Sequence, residues 1–380
     1  MDEISFISNK NRKKCEVCKK EFTPKISAYM LEGENNSTIY LCSFTCKEKY
    51  LERGKPLQKC DQCGKEFRVI HKYQTLKLGE KAEYYLCSTE CQGDFISDIK
   101  RKAREASGLN KATDTTRKII IYTQKGGTGK TTTALNISVA LSQMGFRVLL
   151  IDGDPQGNIS ISLKIKENKQ QKNLYHVFSN NTSIKDVIYR DNKGLNNLDL
   201  ILSDQNLAAI NINLAKYEDI KTRHKVFFEK LKEVEKQYDY IITDSSPALS
   251  VLNQNLLYAA DEIIIPASCD YLSFATVEKV MSTIKDIETF YKHKIEILGI
   301  LPTLFITGRK MSKNIVRDLQ TKYGPSMVLS PIRDRAGIRS ASFEGVAVVL
   351  SPKLAGYHDY QNLAQTISAK KRIKSIKAYN

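Results

Sequence analysis

Residues Gln124-Lys125-Gly126-Gly127-Thr128-Gly129-Lys130-Thr131-Thr132 follow an apolar run, Lys118 to Thr123, and open a second run, Thr131 to Met144, whose apolar residues recur at helical spacing until Gly145. Glycines let successive backbone N–H groups turn inward around a phosphate, and a helix N-terminus adds partial positive charge. Lys130 can reach the β and γ phosphates, and the Thr131 hydroxyl can ligate Mg²⁺. Gly126, Gly127, Thr128, Gly129, Lys130, Thr131 and Thr132 are therefore candidate nucleotide-binding residues. The run departs from the ordinary phosphate-binding pattern G-x-x-x-x-G-K-[ST]: Gln124 stands at the first glycine and Lys125 is an extra lysine.

Two acidic motifs end later apolar runs. Asp152-Gly153-Asp154-Pro155-Gln156-Gly157-Asn158 closes the run from Arg147, and Ile241-Ile242-Thr243-Asp244-Ser245-Ser246-Pro247 places Asp244 at the carboxyl end of another. Asp244 is placed to hold Mg²⁺ through water, as a Walker B acid does. Carboxylates beside a γ-phosphate repel it, so the set makes sense only with Mg²⁺ and lysines to neutralise the charge.

The third chemical signal is cysteine. Eight of the nine cysteines precede residue 92, and they repeat at a constant offset of 45: CEVCKKEF at Cys15 matches CDQCGKEF at Cys60, and YLCSFTC at Tyr40 matches YLCSTEC at Tyr85. Cys15, Cys18, Cys42 and Cys46 thus form one set and Cys60, Cys63, Cys87 and Cys91 a second. Each set reads C-x2-C, 23 residues, C-x3-C, which suits tetrahedral Zn²⁺, one per copy. Disulfides are the rival, and nothing in the sequence indicates export. Phe22 and Phe67 read as small-core packing rather than base-stacking residues.

These residues need elements to hold them. Apolar, β-rich runs begin at Arg147 (RVLLID), Leu198 (LDLIL), Tyr238 (YDYIITD), Glu262 (EIIIPA), Ile295 (IEILGILPT) and Met327 (MVLSPI), alternating with helix-like segments. Runs apolar on both faces predict a mostly parallel, doubly wound α/β sheet with ligands at the strands' carboxyl ends. The expected organisation is a tandem zinc-finger module over 1–98 (copies about 12–54 and 57–98), a basic linker over 99–117, a P-loop NTPase domain over 118–368 and a basic tail over 369–380. Lys plus Arg number 59 against 42 Asp plus Glu, a net charge of +17, which favours a polyanionic partner. The longest apolar runs fall far short of the ~20 residues that span a bilayer, and the first residues lack a signal peptide's apolar core. A cytosolic protein is expected.

The deviant loop with its early lysine resembles that of the ParA/MinD superfamily, and D-x-D-P-Q-G-N at Asp152 matches the same family's second motif. Over residues 118 to 368 the chain resembles a ParA/Soj-type partition ATPase. Ser246 departs from the family's D-x-P-P. The resemblance implies that Lys125 crosses a dimer interface to the partner's nucleotide phosphates, that Asp154 positions the attacking water, and that Asp152 sits near the metal's water shell. It further implies a P-loop fold, Mg-ATP hydrolysis, an ATP-sandwich homodimer on nonspecific DNA, a ParB-like partner that stimulates hydrolysis, and nucleoid association. Ile332 to Gly345 and Ser351 to Tyr357 resemble the family's C-terminal part, which makes Arg333, Arg335 and Arg339 DNA-backbone candidates and Pro352 an adenine-contact candidate. The cysteine repeat resembles treble-clef fingers of the MYM, FCS and TRASH type, whose partner the sequence does not name.

Rival readings within the superfamily lack their own residues. The tail Ala369 to Asn380 has too few bulky apolar groups for stable membrane anchoring, and Cys269 alone cannot ligate an iron–sulfur cluster in the ATPase body. The alternative of another class is an ATPase that positions a protein cargo or regulates transcription, with the zinc module as adaptor.

Overall fold

The computed structural model describes residues 12–23, 30–32, 37–71, 74–78, 82–88, 91–92, 95–96, 98–99, 102, 116–165, 171–179, 182–190, 195 and 197–370. Most of the expected linker and residues 371–380 of the tail lie outside them. The chain divides into two compact units, Met1–Phe95 and Ile96–Asn380.

The first unit repeats one small motif. In its first copy β1 (Lys13–Lys14) pairs antiparallel with β2 (Glu21–Phe22), β3 (Met30–Glu32) pairs with β4 (Thr38–Tyr40), and the helix Phe44–Leu51 follows. Ser43 caps that helix by accepting from the Cys46 N–H at 3.2 Å. The second copy has hairpins β5 (Leu57–Lys59) with β6 (Glu66–Arg68) and β7 (Thr75–Leu78) with β8 (Ala82–Tyr85), and Ser88 accepts from Cys91 N at the same 3.2 Å. Among the described residues the first copy's buried core is Cys15, Leu41 and Cys46, with Phe22 among the partly buried residues packed against it. So small a core needs a staple.

In the second unit a seven-stranded sheet runs in the order β11 (Ile188–Tyr189), β12 (Leu198–Ile201), β10 (Val148–Gly153), β13 (Tyr240–Ser245), β9 (Arg117–Ile121), β14 (Glu262–Ser268), β15 (Glu296–Thr303). All neighbours are parallel except β11, which pairs antiparallel with β12 at the edge. Strand alternation sends Ile120, Tyr122, Leu149 and Ile151 into one core and Ile119, Ile121, Val148 and Leu150 into the other. The second core includes the helix Lys130–Gln143 and the C-terminal helix Tyr357–Ala369, through Leu135, Leu141, Leu363 and Ile367.

The expectation of a strand at MVLSPI is corrected. Residues 327–332 run beside β15, with Leu329 N donating to Ile300 O and Ile332 N to Pro302 O at 2.8 Å each, but only isolated bridges form there. Pro331 has no N–H to give a ladder, so the run stays a partial edge.

Candidate functional site

The loop between β9 and the helix Lys130–Gln143 crosses the carboxyl edge of the sheet. Gly127 (φ 71°) and Gly129 (φ 82°) adopt left-handed backbone, and a Cβ at Gly126, Gly127 or Gly129 would meet nothing within 4 Å. The positive φ values, rather than crowding, are what call for glycine there. The loop lines a cavity of about 960 Å³, large enough for a cofactor-sized ligand. One flank is formed by Asp154, Pro155, Gln156, Asn158, Asn211 and Ser246 to Ala248, the other by Thr303, Leu304, Ile332 to Arg335, Ile338 and Tyr360.

Lys130 is buried, and its Nζ donates to the Lys125 carbonyl oxygen at 2.9 Å. Burial lowers its pKa, opposed by the charges of Asp244 and Asp154. Lys125 points elsewhere: its Nζ donates to Ser268 Oγ at 3.1 Å and pairs with Asp270 just beyond β14. Burial alone would raise the Asp270 carboxyl, but hydrogen bonds from Lys125 and Ser268 hold it below its ordinary range.

Three aspartates sit at adjacent strand ends. In the parallel register Asp152 lies opposite Asp244, so two carboxylates face one another across β10 and β13. Asp152 accepts from Asp154 N (3.2 Å) and Ile159 N (3.1 Å), and burial pushes it up to about 7. Asp244 is fully buried and is also raised well above the usual carboxylate range, first by burial and then by Asp152, with the Thr131 hydroxyl opposing. Its Oδ1 accepts from Ser245 N at 2.9 Å, whereas Oδ2 has no hydrogen-bond partner among the described residues. An orphaned buried carboxylate oxygen beside a threonine hydroxyl is an all-oxygen donor set, which suits Mg²⁺. Asp154 Oδ1 accepts from Gln156 N at 3.0 Å, and its carbonyl accepts from Ser203 Oγ at 2.6 Å.

The remaining candidates scatter. Arg333 and Arg335 line the cavity, and the Arg333 guanidinium is committed to Asp359, with Nε 3.0 Å from both carboxylate oxygens and Nη2 2.5 Å from Oδ1. Arg339 lies on the helix Ala336–Glu344, and its side chain falls outside the described part. Pro352 is exposed and is not among the cavity-lining residues. Ser203, Asp270 and Asn253 were not singled out from the sequence, because they reach the site from strands or helices far along the chain.

In the first unit the two cysteine sets gather, and in each all four Sγ atoms lie within 4.8 Å of one another. Cys42 Sγ is 3.4 Å from Cys18 Sγ and 3.6 Å from Cys46 Sγ; Cys87 Sγ is 3.6 Å from Cys63 Sγ and 3.5 Å from Cys91 Sγ. Four sulfurs at ~2.3 Å from one zinc would be about 3.8 Å apart, close to these separations. All nine cysteines are free thiols, so no disulfide competes. Burial by itself raises Cys15 and Cys60, but backbone N–H donors, among them Cys42 N and Cys87 N at 3.4 Å, hold both down at about 6.

A family described as an AAA domain matches residues 116–297. The chain is 31% identical to the chromosome partitioning protein ParA of Caulobacter vibrioides over 263 residues, 69% of this chain and 97% of that protein. Among solved structures it is similar to the cobyrinic acid a,c-diamide synthase of Mycobacterium smegmatis with bound ATP analog and magnesium, at 28% identity and TM-score 0.56, covering 66% of this chain and 93% of that one. It is also similar to a putative plasmid partition protein of Borrelia burgdorferi bound to AMPPNP, at 25% identity and TM-score 0.55, covering 67% and 98%.

Proposed function

This chain belongs to the ParA family of partition ATPases, and we propose that it is a Mg²⁺-dependent ATP hydrolase whose ATP-bound homodimer binds duplex DNA without sequence preference. A ParB-like partner would stimulate hydrolysis and release the DNA, and repetition of that cycle would segregate a plasmid, phage or chromosome. The observation that carries the reading is the convergence of the glycine loop, Lys130 and Asp154 on one cavity, with buried Asp152 and Asp244 in register at the ends of the two neighbouring strands.

Gly126 to Thr132 hold the phosphates, with Lys130 on the β and γ phosphates. Thr131, Asp152 and Asp244 would hold Mg²⁺, which would supply positive charge against the phosphates. Asp154 positions the water that attacks the γ-phosphorus, and Lys125 leaves Asp270 to reach the nucleotide of the second copy. Exposed Leu249, Tyr271, Leu272 and Leu304, which follow β13, β14 and β15 on the P-loop's edge of the sheet, support a face that a second copy covers.

The net charge of +17 supports a polyanionic partner. Arg309, Lys310, Lys313 and Arg317, all exposed, run along one side of the helix Lys310–Tyr323 and its entry, and they offer a backbone-contacting row in addition to the candidates Arg333, Arg335 and Arg339. Among the described residues no helix is long and apolar enough to cross a membrane. In this reading the functional modules would be 1–98 with one zinc per cysteine set, 99–117, 118–368 and 369–380.

The test is duplex DNA binding by the full-length Asp154→Ala protein with ATP and with ADP across a salt series. Binding that requires ATP and weakens steeply with salt is expected. Equal binding with either nucleotide would make the finger module or the tail a constitutive anchor. Absence of binding would transfer the reading to a protein cargo, or to transcriptional regulation, with the fingers as adaptor.

A further inference from the structure

Ser246 occupies the first position beyond β13, at the cavity wall, and its hydroxyl has an unusual set of neighbours. The ladder between β10 and β13 runs Asp152 opposite Asp244 and Gly153 opposite Ser245. The next residues on the two strands are Asp154 and Ser246, each 7% exposed and each lining the cavity. The serine and the aspartate that the proposed mechanism assigns to the water thus follow the last paired positions of neighbouring strands and line the same cavity.

Asn253, on the helix Val251–Ala259, determines which way the serine proton goes. Its Nδ2 lies 2.8 Å from the Ser246 carbonyl oxygen, 2.5 Å from the Ala248 carbonyl oxygen and 3.0 Å from Ser246 Oγ. Two carbonyl acceptors identify this end of the amide as the nitrogen, since an oxygen there would face two like dipoles. An amide nitrogen donates and does not accept, so Ser246 Oγ can only receive from it. Asn253 Oδ1, at the far end, is buried and has no partner among the described residues. Among the described residues no protein group accepts from the Ser246 hydroxyl, which leaves its proton for a ligand in the cavity.

We propose that the Ser246 hydroxyl donates a hydrogen bond to the hydrolytic water, which in turn donates to the Asp154 carboxylate; this rests on the ATPase reading above. Held between one donor and one acceptor, the water keeps its second lone pair for the γ-phosphorus. As the water oxygen bonds to phosphorus, the bond to the bridging oxygen breaks and its electron pair leaves with ADP. The water proton departs toward Asp154 and ends on inorganic phosphate. A proline at this position, as in D-x-P-P, has no hydroxyl and could not act in this way.

Steady-state ATP hydrolysis and fluorescent ATP-analogue binding, with and without duplex DNA, test the proposal in full-length wild-type, Ser246→Ala and Ser246→Thr proteins. Loss of one neutral hydrogen bond made in the transition state predicts a kcat lower by about fivefold to tenfold in Ser246→Ala. KM and analogue affinity should stay within about twofold of wild type, because the ground-state phosphate contacts are untouched. Ser246→Thr, which keeps the hydroxyl, should restore most of the rate. Unchanged kcat in Ser246→Ala overturns the proposal, as does equal loss of analogue binding in both variants, which would make Ser246 a packing residue only. A wild-type protein without ATP turnover would instead remove the ATPase reading itself.

Discussion

Lys125 and Lys130 lie five residues apart in one loop and are held in opposite ways. Lys130 is buried against the loop's own carbonyl and two aspartates, so its charge is committed to the cavity. Replacing it with alanine should weaken ATP binding by about 100-fold or more, since a charge-assisted phosphate contact is lost from a desolvated site; isothermal titration would measure this. Lys125 is tethered at the rim by Asp270 and Ser268, and any contact with a second copy's phosphates requires that tether to open. Lys125→Ala should leave monomer nucleotide affinity nearly unchanged but stop ATP-dependent dimerisation in sedimentation experiments. Asp270→Asn should shift dimerisation to roughly threefold lower protein concentration, a modest gain because the pair is partly solvated. Loss of dimerisation in Asp270→Asn would show that Asp270 belongs to the dimer contact and not to a restraint. The P-loop residues were legible in the sequence because their chemistry is contiguous over nine positions. The tether was not, because Lys125 and Asp270 lie 145 positions apart in the chain and meet only on folding.

At the scale of elements, strand alternation and helix period were legible wherever an apolar run was long and free of proline. They failed at Met327 to Ile332, where Pro331 breaks the ladder, and they gave no notice of the short antiparallel edge Ile188–Tyr189. Nor could a pattern show how the C-terminal helix is secured. Arg117, at the start of β9, makes a bidentate pair with Glu262 at 2.6 and 2.7 Å, and its Nη1 donates to Ile367 O at 2.6 Å near the C-terminal end of the helix Tyr357–Ala369. Both partners are nearly inaccessible, so removing either leaves an uncompensated charge in the core. Arg117→Met should destabilise the ATPase unit by about 3 kcal/mol or more. The double variant Arg117→Met with Glu262→Leu should recover part of that loss. Urea unfolding followed by far-UV circular dichroism would report it, since most helices belong to this unit. If the single variant unfolds at the wild-type midpoint, the pair is not a clamp.

At the scale of the whole molecule, the two units depend on different forces. The ATPase unit has two extensive apolar cores, one on each face of its sheet. Among the described residues the finger unit has only a small one, built around Cys15, Leu41 and Cys46, which is the situation in which a structural metal supplies folding energy. Its free thiols are poised unevenly: Cys15 and Cys60 sit near 6, while Cys42, chiefly through its hydrogen bond with Cys18, and Cys91, chiefly through burial, are pushed up to about 12. Without a cation, each set therefore keeps some thiols protonated at neutral pH, and zinc binding must expel those protons. Affinity for zinc should rise with pH and fall on acidification, because protons compete for the same sulfurs. Elemental analysis should find about two zinc ions per chain, falling to one in Cys18→Ser or Cys63→Ser, which each break a single set. Calorimetry in buffers of different ionisation enthalpy would count the released protons. A zinc-selective chelator with Mg²⁺ kept in excess should abolish the finger unit's structure while ATP-analogue binding by the same molecules persists, because the cavity draws all its described lining from residues 126 to 360. If chelation also removed ATP binding, the two units would be energetically coupled, and the fingers would be part of the nucleotide switch rather than a separately folded adaptor.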